Sequence, residues 1–456
     1  MTGQVDVAVV GGGLAGIAAA LRLADRGATV TLLESRPRLG GATYSFERDG
    51  LTVDTGQHVF LRCYTAYLAL LRRLGTADLV EIQDRFEVPV LAPGRPPHLL
   101  RRARYAPAPL HLLPALAGYR PLSVADRVAA MRAAAALRFV DPDAPGTDAH
   151  SLGEFFARHG QSPEVVRRLW ELVAVAALNV PPAEASLALA ARVFRTGLLE
   201  SARAGDIGRP RVGLSALHGD PAARILGPAV RTRAKVRRIV PVAGGFTVHT
   251  ENDTVPARTV LLAVPHPAAA HLVPAGAVDD PGRWAGLSGT AIVNVHLVYD
   301  RTVTDFGMAA AVDSPVQWVF DRTAESGMRG AGQYLAVSLS AADALVGRPA
   351  AELIAEQRAG IEALLPAART AELTSAFVTR EPRATFRQAP GSRALRPPAG
   401  TGLPGLALAG AWVGTGWPDT MEGAVRSGHT AADLLAGHLG QRPSTVDQPD
   451  TRAAVS

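Results

Sequence analysis

The first part of the chain carries two short apolar runs separated by an amphipathic segment. Residues 5–10 and 29–33 are rich in Val and Leu, and residues 14–26 place apolar side chains at helical spacing up to a stop at Gly27. Apolar runs on either side of a helix are typical of parallel strands joined by a crossover. We therefore predict a βαβ unit at residues 5–33.

Helical spacing returns at residues 64–74, where Gly75 is the predicted stop. From Glu87 the chain is rich in Pro, and Ala, Leu and Arg recur at a helical period over residues 124–203. We therefore predict that residues 87–209 form a largely helical insertion.

After Gly208 the pattern changes to short β-branched runs bounded by turn residues. Three of these runs predict a small meander, at residues 230–240, 246–250 and 259–264. Four more predict a second sheet, at residues 291–299, 316–320, 334–338 and 374–378, with a helix at 350–365. A last strand is predicted at 406–409 and a last helix at 421–435, and the polar residues from 441 onward are predicted to be disordered.

Composition places the chain among ordinary globular proteins. Its 456 residues are 48% hydrophobic, 19% charged and 5% aromatic, which excludes disordered, collagenous and disulfide-framework classes. The single cysteine, Cys63, excludes an intrachain disulfide and a cysteine-rich zinc site, and we predict no metal site. A reducing compartment, and hence a cytoplasmic location, is expected.

The net charge of +6 comes almost entirely from arginine, because Lys235 is the only lysine. The arginines are spread along the chain and form no dense basic run with interleaved aromatic residues, so we predict no nucleic-acid partner. A basic surface also suits anionic lipid. The apolar segment 105–122 contains four prolines, and residues 7–21 are too short to span a bilayer, so no transmembrane helix is predicted.

Gly11-x-Gly13-x-x-Gly16 lies between the first predicted strand and helix, and Glu34 ends the next strand. In this pattern Gly11 permits a tight turn, Gly13 lets a pyrophosphate approach the helix N-terminus, and Gly16 permits close packing of helix on strand. Glu34 is placed to accept hydrogen bonds from a ribose that carries no phosphate. The motif therefore predicts binding of a dinucleotide, FAD or NAD, with the amides of Leu14 and Ala15 at the phosphates.

The segment after Glu34 resembles the arginine and Gly-Gly signature of the large two-domain flavoproteins that include amine oxidases and carotenoid desaturases. This resemblance favours FAD over NAD. It implies that the loop beside the flavin pyrophosphate contains Ser35, Arg36, Gly40, Gly41 and Ala42.

The resemblance continues downstream and implies further cofactor contacts. Val236, near Ile239, matches the strand that holds the adenine through backbone groups, and Ala263 matches a second approach to the cofactor. Many relatives have an acidic residue where this chain has Ala411, so that contact is absent or replaced. In the C-terminal run 408–428, the residues implied to contact FAD are Gly410, Ala411, Thr420, Met421, Glu422 and Ala424, with Asp419 or Thr420 capping the helix.

Two stretches narrow the family. Asp54-Thr-Gly-Gln-His58 and the ending 420–428 resemble the squalene-associated branch, the hydroxysqualene dehydroxylases. The resemblance implies that Gly56, Gln57 and His58 return the chain to the flavin. It implies an α/β fold with a Rossmann-type FAD-binding domain (residues 1–86, 210–284 and 401–438) and an inserted α+β substrate domain with a helical region for substrate access and membrane contact (residues 87–209 and 285–400), followed by a disordered tail (439–456).

The resemblance further implies that reduced FAD gives a hydride to a C30 isoprenoid alcohol, whose hydroxyl leaves as water. An acid should protonate that hydroxyl, and His58 is the candidate because imidazole titrates near neutral pH. The alternative is a histidine that only hydrogen-bonds backbone or cofactor. Asp54 is expected at a turn or helix terminus and Asp419 at a helix cap, and either is placed to orient His58.

Amine oxidation is disfavoured, because flavin amine oxidases usually place a lysine near the flavin. The only lysine here, Lys235, lies on the predicted meander beside the adenine end. Cys63 lies far in sequence from the C-terminal flavin segment, so FAD is expected to bind noncovalently. No second nucleotide motif identifies the electron donor. Two alternatives stay open: a carotenoid-type (phytoene or diapophytoene) desaturase or isomerase, and a flavin-bearing prenyl-lipid-binding protein without chemistry. Segment 105–122 is either a surface that dips into one membrane leaflet or a packed loop.

Overall fold

The computed structural model describes residues 3–441; most of the tail predicted to be disordered therefore lies outside the described residues. The strands are β1 Val5–Val10, β2 Val30–Leu33, β3 Ser45–Arg48, β4 Leu51–Asp54, β5 Phe60–Leu61, β6 Val80–Ile82, β7 Glu87–Ala92, β8 Arg95–Arg101, β9 Ile207–Pro210, β10 Val230–Arg231, β11 Val236–Val242, β12 Gly245–Thr250, β13 Thr254–Leu262, β14 Thr290–Tyr299, β15 Met308–Ala311, β16 Trp318–Asp321, β17 Gln333–Leu339, β18 Leu373–Thr385 and β19 Leu406–Leu408. The α-helices are α1 Leu14–Asp25, α2 Thr65–Leu74, α3 Leu113–Ala117, α4 Val124–Leu137, α5 Leu152–Arg158, α6 Pro163–Val165, α7 Glu171–Leu178, α8 Leu187–Phe194, α9 Asp220–Leu226, α10 His266–Leu272, α11 Ala350–Leu364, α12 Ser392–Leu395 and α13 Met421–His438.

The first sheet is built from segments far apart in sequence. Its strand order is β10-β2-β1-β13-β12-β11, and β19 pairs with β13. The strands β10, β2, β1, β13 and β19 pair in parallel, and the meander β11–β13 is antiparallel, which confirms the predicted βαβ unit and meander. Helix α13 packs on α1 so closely that a Cβ at Gly428 would collide with the backbone of Ala15.

The second sheet has the order β18-β14-β17-β16-β15-β7-β8 and packs against α11, as predicted for residues 290–385. One part of the sequence interpretation is wrong. Residues 87–101, assigned to the helical insertion, form the hairpin β7–β8 at the edge of this sheet, where Val90 pairs in parallel with Ala310. Val88 and Val90 are buried and Pro89 between them is less so, which is the alternation of a strand.

The rest of the insertion is helical, as predicted. Helices α3 to α8 follow one another through residues 113–194, with π-helical turns at Val166–Trp170 and Arg195–Leu199. Leu137, Phe156 and Leu178 are buried among them in the same core as the first sheet. Within residues 3–441, no helix is both long and apolar enough to cross a bilayer.

Large apolar side chains are exposed on the outer side of α3, α4 and the flanking loops. Tyr105 is 90% exposed and Phe139 82%. The inner side of the same region is packed, because Ala115 and Tyr119 are buried and the Tyr119 hydroxyl donates a hydrogen bond to the Arg168 carbonyl at 2.6 Å. We name the exposed set the α3–α4 apolar surface; it comprises Tyr105, Leu110, Leu113, Val124, Val128 and Phe139.

Candidate functional site

The glycine motif forms a cradle at the carboxyl end of β1. Gly11 has a positive φ of 108° and lies against the backbone of Ala263, and Gly16 lies against Gly11 so closely that a Cβ would collide with the Gly11 carbonyl oxygen. Gly13 has an ordinary φ of −76° and provides no side chain to cap α1, whose first turn also lacks acidic residues. The first-turn N–H groups of α1, including those of Leu14 and Ala15, are therefore left for an external anion.

Glu34, at the end of β2, lies beside this cradle. Its carboxylate accepts hydrogen bonds from the Gly12 and Arg36 amides, each at 2.7 Å, and from the Ser35 hydroxyl at 3.0 Å. A carboxylate has about four acceptor positions, so one is left for a ligand hydroxyl. The Glu34 carbonyl accepts from the Ala234 amide, which brings the segment leading to Val236 next to Glu34.

The loop after Glu34 closes over the cradle. A Cβ on Gly41 would lie 2.8 Å from the Gly13 Cα, and the Gly40 amide donates to the Gly12 carbonyl. Arg36 is exposed, whereas Arg38 is partly buried over the Tyr44 ring and its buried Nη1 has no hydrogen-bond partner among the described residues. Burial lowers the pKa of Arg38, which would favour an anion as its partner. Arg38 was not among the predicted cofactor residues, although it lies in the same arginine and Gly-Gly segment as Arg36, four residues after Glu34.

The C-terminal loop uses some of the predicted groups internally. The Gly410 amide donates to the Ser427 hydroxyl at 2.8 Å, so it is not available to a cofactor. The Ala411 carbonyl accepts from Arg396 at 2.9 Å, and Arg396 also donates to the carbonyls of Trp412 and Val413. Arg396 thus fixes the shape of this loop, a role that the sequence did not indicate.

The start of α13 corrects two further expectations. Thr420 caps the helix by accepting from the Gly423 amide at 3.1 Å, so Asp419 is not the cap. The carboxylate of Glu422 is fully buried, and it accepts from the amides of Ala66 and Tyr67 at the start of α2, at 3.1 and 2.8 Å. Its side chain is therefore committed to α2. The amides of Met421 and Glu422, in the first turn, have no intrahelical acceptor, and Ala424 is partly buried just beyond them.

Asp54 is the last residue of β4, not part of a turn or helix terminus. One carboxylate oxygen accepts from the Ser45 hydroxyl at 2.6 Å and from the Leu214 amide at 3.0 Å, and the other pairs with Arg322 at 2.6 Å. Because its charge is paired with Arg322 and it accepts two further hydrogen bonds, Asp54 holds β3, β4 and the second sheet together.

The segment after Asp54 joins the cofactor loop. The Thr55 hydroxyl donates to the Ala42 carbonyl at 2.7 Å, which places Gly56 next to that loop. The side-chain oxygen of Gln57 is buried and accepts no hydrogen bond within residues 3–441.

His58 fits the alternative hypothesis, in which this histidine hydrogen-bonds the backbone and is not an acid. Its Nδ1 lies 3.0 Å from the Gly56 carbonyl oxygen. A carbonyl only accepts, so Nδ1 carries the proton and Nε2 is an acceptor. Burial is the main cause of a lowered pKa at His58, so the ring is neutral near pH 7. A neutral ring with Nε2 unprotonated has no proton to donate there.

Three further polar side chains of these loops, His58, Tyr64 and Asp419, are each partly buried. The Tyr64 ring meets Trp417 edge to face, with centroids 5.9 Å apart. This contact brings the residue before α2 next to the loop that leads into α13, and Glu422 links the first turns of the same two helices.

These features fit FAD. An uncapped helix N-terminus, a carboxylate with an open acceptor position and a partly buried guanidinium with one unpaired nitrogen are groups that suit a pyrophosphate and a ribose. A side chain at Gly13 would fill the space that the phosphates need.

The family model described as flavin-containing amine oxidoreductase matches residues 14–436. A hydroxysqualene dehydroxylase of Rhodopseudomonas palustris is 32% identical over 450 residues, covering 94% of this chain and 98% of that protein. A zeta-carotene desaturase of Zea mays is 24% identical over 497 residues, covering 95% and 84%.

Solved structures show the same fold. A triple mutant of putrescine oxidase superposes with a TM-score of 0.72 at 22% identity, covering 95% of this chain and 99% of that one. The amine oxidase flavoprotein fold, with its mixed sheets, is thus shared over 95% of this chain.

Proposed function

This chain belongs to the family of flavin-containing amine oxidoreductases and, within it, groups with the hydroxysqualene dehydroxylases; from this we propose that it reduces hydroxysqualene to squalene. It is an FAD-dependent oxidoreductase. The observation that supports this substrate is the 32% identity with the hydroxysqualene dehydroxylase of Rhodopseudomonas palustris, over almost the full length of both chains. The identity with the carotene desaturase is 24%.

The position of the only lysine supports this choice over amine oxidation. Lys235 is exposed on the loop between β10 and β11, beside the Glu34 end of the cradle. It therefore lies at the end of the cradle that would hold the ribose.

The protein's own groups divide the binding of FAD among them. The first turn of α1 and Arg38 hold the pyrophosphate, Glu34 holds the ribose, and backbone groups near Val236 and Ala263 hold the adenine side. The loop with Ser35, Arg36, Gly40, Gly41 and Ala42 covers the pyrophosphate. The N-terminus of α13, with Thr420, Met421 and Ala424, faces the anionic side of the flavin. When bound and reduced, FAD supplies a hydride.

His58 orients the substrate in this proposal. Its Nε2 accepts a hydrogen bond from the substrate hydroxyl, while the Gly56 carbonyl fixes the ring through Nδ1. The aromatic pair Tyr64 and Trp417 excludes water from the carbon that loses the hydroxyl.

We also propose that FAD is bound noncovalently, because Cys63 is held as a protonated thiol. Burial raises the pKa of its thiol to about 12, so the thiolate that a thioether requires does not form near neutral pH.

We further propose that the α3–α4 apolar surface touches one membrane leaflet, from which the C30 substrate is taken. Exposed arginines, Arg104, Arg120 and Arg132, lie among its apolar residues. This combination suits anionic lipid. The electron donor is not assigned.

The test is an anaerobic single turnover. The purified holoprotein is reduced, mixed with hydroxysqualene in detergent, and followed by flavin absorbance, with lipids extracted for mass spectrometry. Reoxidation with stoichiometric squalene is the expected result. A reduced flavin that ignores hydroxysqualene, together with bleaching of the oxidised protein by a polyene precursor, would replace the proposal with a desaturase. No response in either direction would favour a lipid-binding protein.

A further inference from the structure

Reductive dehydroxylation requires a proton for the leaving oxygen, because hydroxide leaves poorly. The two residues first expected to act there do not provide one. Neutral His58 offers a lone pair at Nε2, and the Asp54 carboxylate is paired with Arg322 and accepts two further hydrogen bonds. The inference below rests on the proposed function and concerns the source of that proton.

Asp419 lies two residues before the first residue of α13 and is held from outside the helix. Its Oδ2 accepts from the Phe386 amide at 2.9 Å, and its own amide donates to the Gln388 side-chain oxygen at 3.0 Å. Its Oδ1 accepts no hydrogen bond from any residue in the described chain and is not sealed from solvent. One oxygen is thus anchored, and the other is accessible and, among the described residues, unpaired two residues before the first residue of α13.

The surroundings of this carboxyl disfavour its charged form. Phe386, whose amide donates to it, is buried, and Trp417 and the capping residue Thr420 are its near neighbours in sequence. The cation that acts on it is Arg396, which is itself held by the carbonyls of Ala411, Trp412 and Val413. Burial raises the pKa of Asp419 to about 6, against the opposing effects of the Phe386 amide and Arg396.

We propose that Asp419 is the catalytic acid, which donates the proton on Oδ1 to the substrate hydroxyl. The carbon–oxygen bond breaks and its electron pair goes to oxygen, which takes this proton and leaves as water. The carbon receives the hydride that reduced FAD supplies under the proposed function. The products are squalene, water, oxidised FAD and the Asp419 carboxylate, which water reprotonates.

The test compares Asp419→Asn with Asp433→Asn, the same change at an exposed position on α13. Single-turnover formation of squalene is followed between pH 5 and pH 8.5. In the wild type the rate falls as pH rises through the apparent pKa of Asp419. Asp419→Asn should slow the step by about 100-fold or more and abolish this pH dependence, while FAD affinity stays within threefold. Asp433→Asn should behave as the wild type.

A second measurement does not depend on turnover. Infrared difference spectra of the holoprotein between pH 4 and pH 8 should show a carboxylic-acid band that Asp419→Asn removes and Asp433→Asn keeps. Asp419→Glu, which keeps the acid, should recover part of the rate and the pH dependence.

An active wild type with Asp419→Asn within threefold of it overturns this inference alone, as does a band unchanged by Asp419→Asn. If the asparagine variant fails to fold, an Asp419→Glu variant that binds FAD but has lost the pH dependence also overturns it. A wild type that forms no squalene refutes the proposed function.

Discussion

Glu422 accepts a hydrogen bond from the backbone amide of Tyr67 at 2.8 Å, and so a buried carboxylate in the first turn of α13 stabilises the first turn of α2. The two bonded residues are 355 positions apart in sequence. The edge-to-face contact of Tyr64 with Trp417 depends on this link, because Tyr64 immediately precedes α2 and Trp417 lies shortly before α13.

Glu422→Ala should therefore destabilise the protein. It leaves two amides of α2 without an acceptor and deprives Arg426 of its partner, at a cost of roughly 2–4 kcal/mol. Denaturant midpoints of the apoprotein measure this. Glu422→Gln keeps one acceptor oxygen and should lose less. Equal midpoints for wild type and Glu422→Ala would show that water replaces the carboxylate.

Stability should depend on pH through Asp419. Its pKa is 3.8 when the chain is unfolded and about 6 when folded, so the folded state binds the extra proton between these values. The contribution of Asp419 to the free energy of unfolding is then greatest below pH 3.8. It falls by roughly 3 kcal/mol as the pH rises to about 6. Asp419→Asn should lack this decline, and the difference in melting temperature between the two proteins should grow from pH 4 to pH 6.5. A constant difference across that range would contradict the burial of this charge.

The two glycines of the cradle should respond differently to alanine. At Gly13 a Cβ meets no protein atom closer than 3.8 Å and φ is ordinary, so Gly13→Ala should fold normally but weaken FAD binding by at least about tenfold, or 1.4 kcal/mol. At Gly16 the Cβ collides with the Gly11 carbonyl, so Gly16→Ala should lower the melting temperature of the apoprotein. FAD titration and thermal unfolding separate the two effects. A Gly13→Ala protein that binds FAD normally would exclude phosphates from this helix end.

Arg38→Gln should weaken FAD binding by about tenfold or more, with a smaller effect on apoprotein stability. In the apoprotein Arg38 lies over the Tyr44 ring and its buried Nη1 has no hydrogen-bond partner within residues 3–441, whereas a hydrogen bond from it to a charged group would contribute about 1.5–3 kcal/mol. Arg36→Gln is the matched control, and because Arg36 is exposed its effect should be smaller. Isothermal titration with FAD measures both. A larger loss of FAD affinity in Arg36→Gln than in Arg38→Gln would show that Arg36, and not Arg38, contacts the pyrophosphate.

Removing apolar side chains from the α3–α4 apolar surface should weaken binding to vesicles that contain anionic lipid. The double change Val124→Ser and Phe139→Ser should reduce sedimentation with vesicles by about tenfold or more, since burial of such side chains contributes roughly 1.5–3 kcal/mol each. Leu434→Ser, at an exposed apolar position on α13, is the control. Deleting the whole segment 105–122 would be uninformative, because Tyr119 is buried there. Unchanged sedimentation of the double variant would show that the α3–α4 apolar surface does not contact lipid.

The sequence predicted those parts of the molecule that local signals determine. The βαβ unit, the meander, α2, α11 and α13 follow from apolar periodicity and from glycines at the turns, and the structure confirms them. The hairpin β7–β8 was missed because prolines obscured its alternation and its partner, β15, lies more than 200 residues further along the chain.

The site was predictable only where a motif fixes the backbone. Gly11, Gly16 and Glu34 lie together as expected because each acts within one strand–helix–strand unit. The side chains of Asp54, Asp419 and Glu422 have partners at Arg322, Phe386 and Ala66, which come from distant segments. No spacing in the sequence shows these contacts. The sequence therefore could not predict that the side chains of Asp54 and Glu422 link distant segments, or that Thr420 rather than Asp419 caps α13.

The parallel pairing of β1 with β13 has a consequence for synthesis. Val7 and Val9 of β1 are fully buried, but the strand that covers one edge of β1 is made about 250 residues later. At a translation rate of about 5–20 residues per second, the nascent chain keeps this apolar edge open for roughly 10–50 s. Chaperone binding to the N-terminal unit on the ribosome would protect it during that interval.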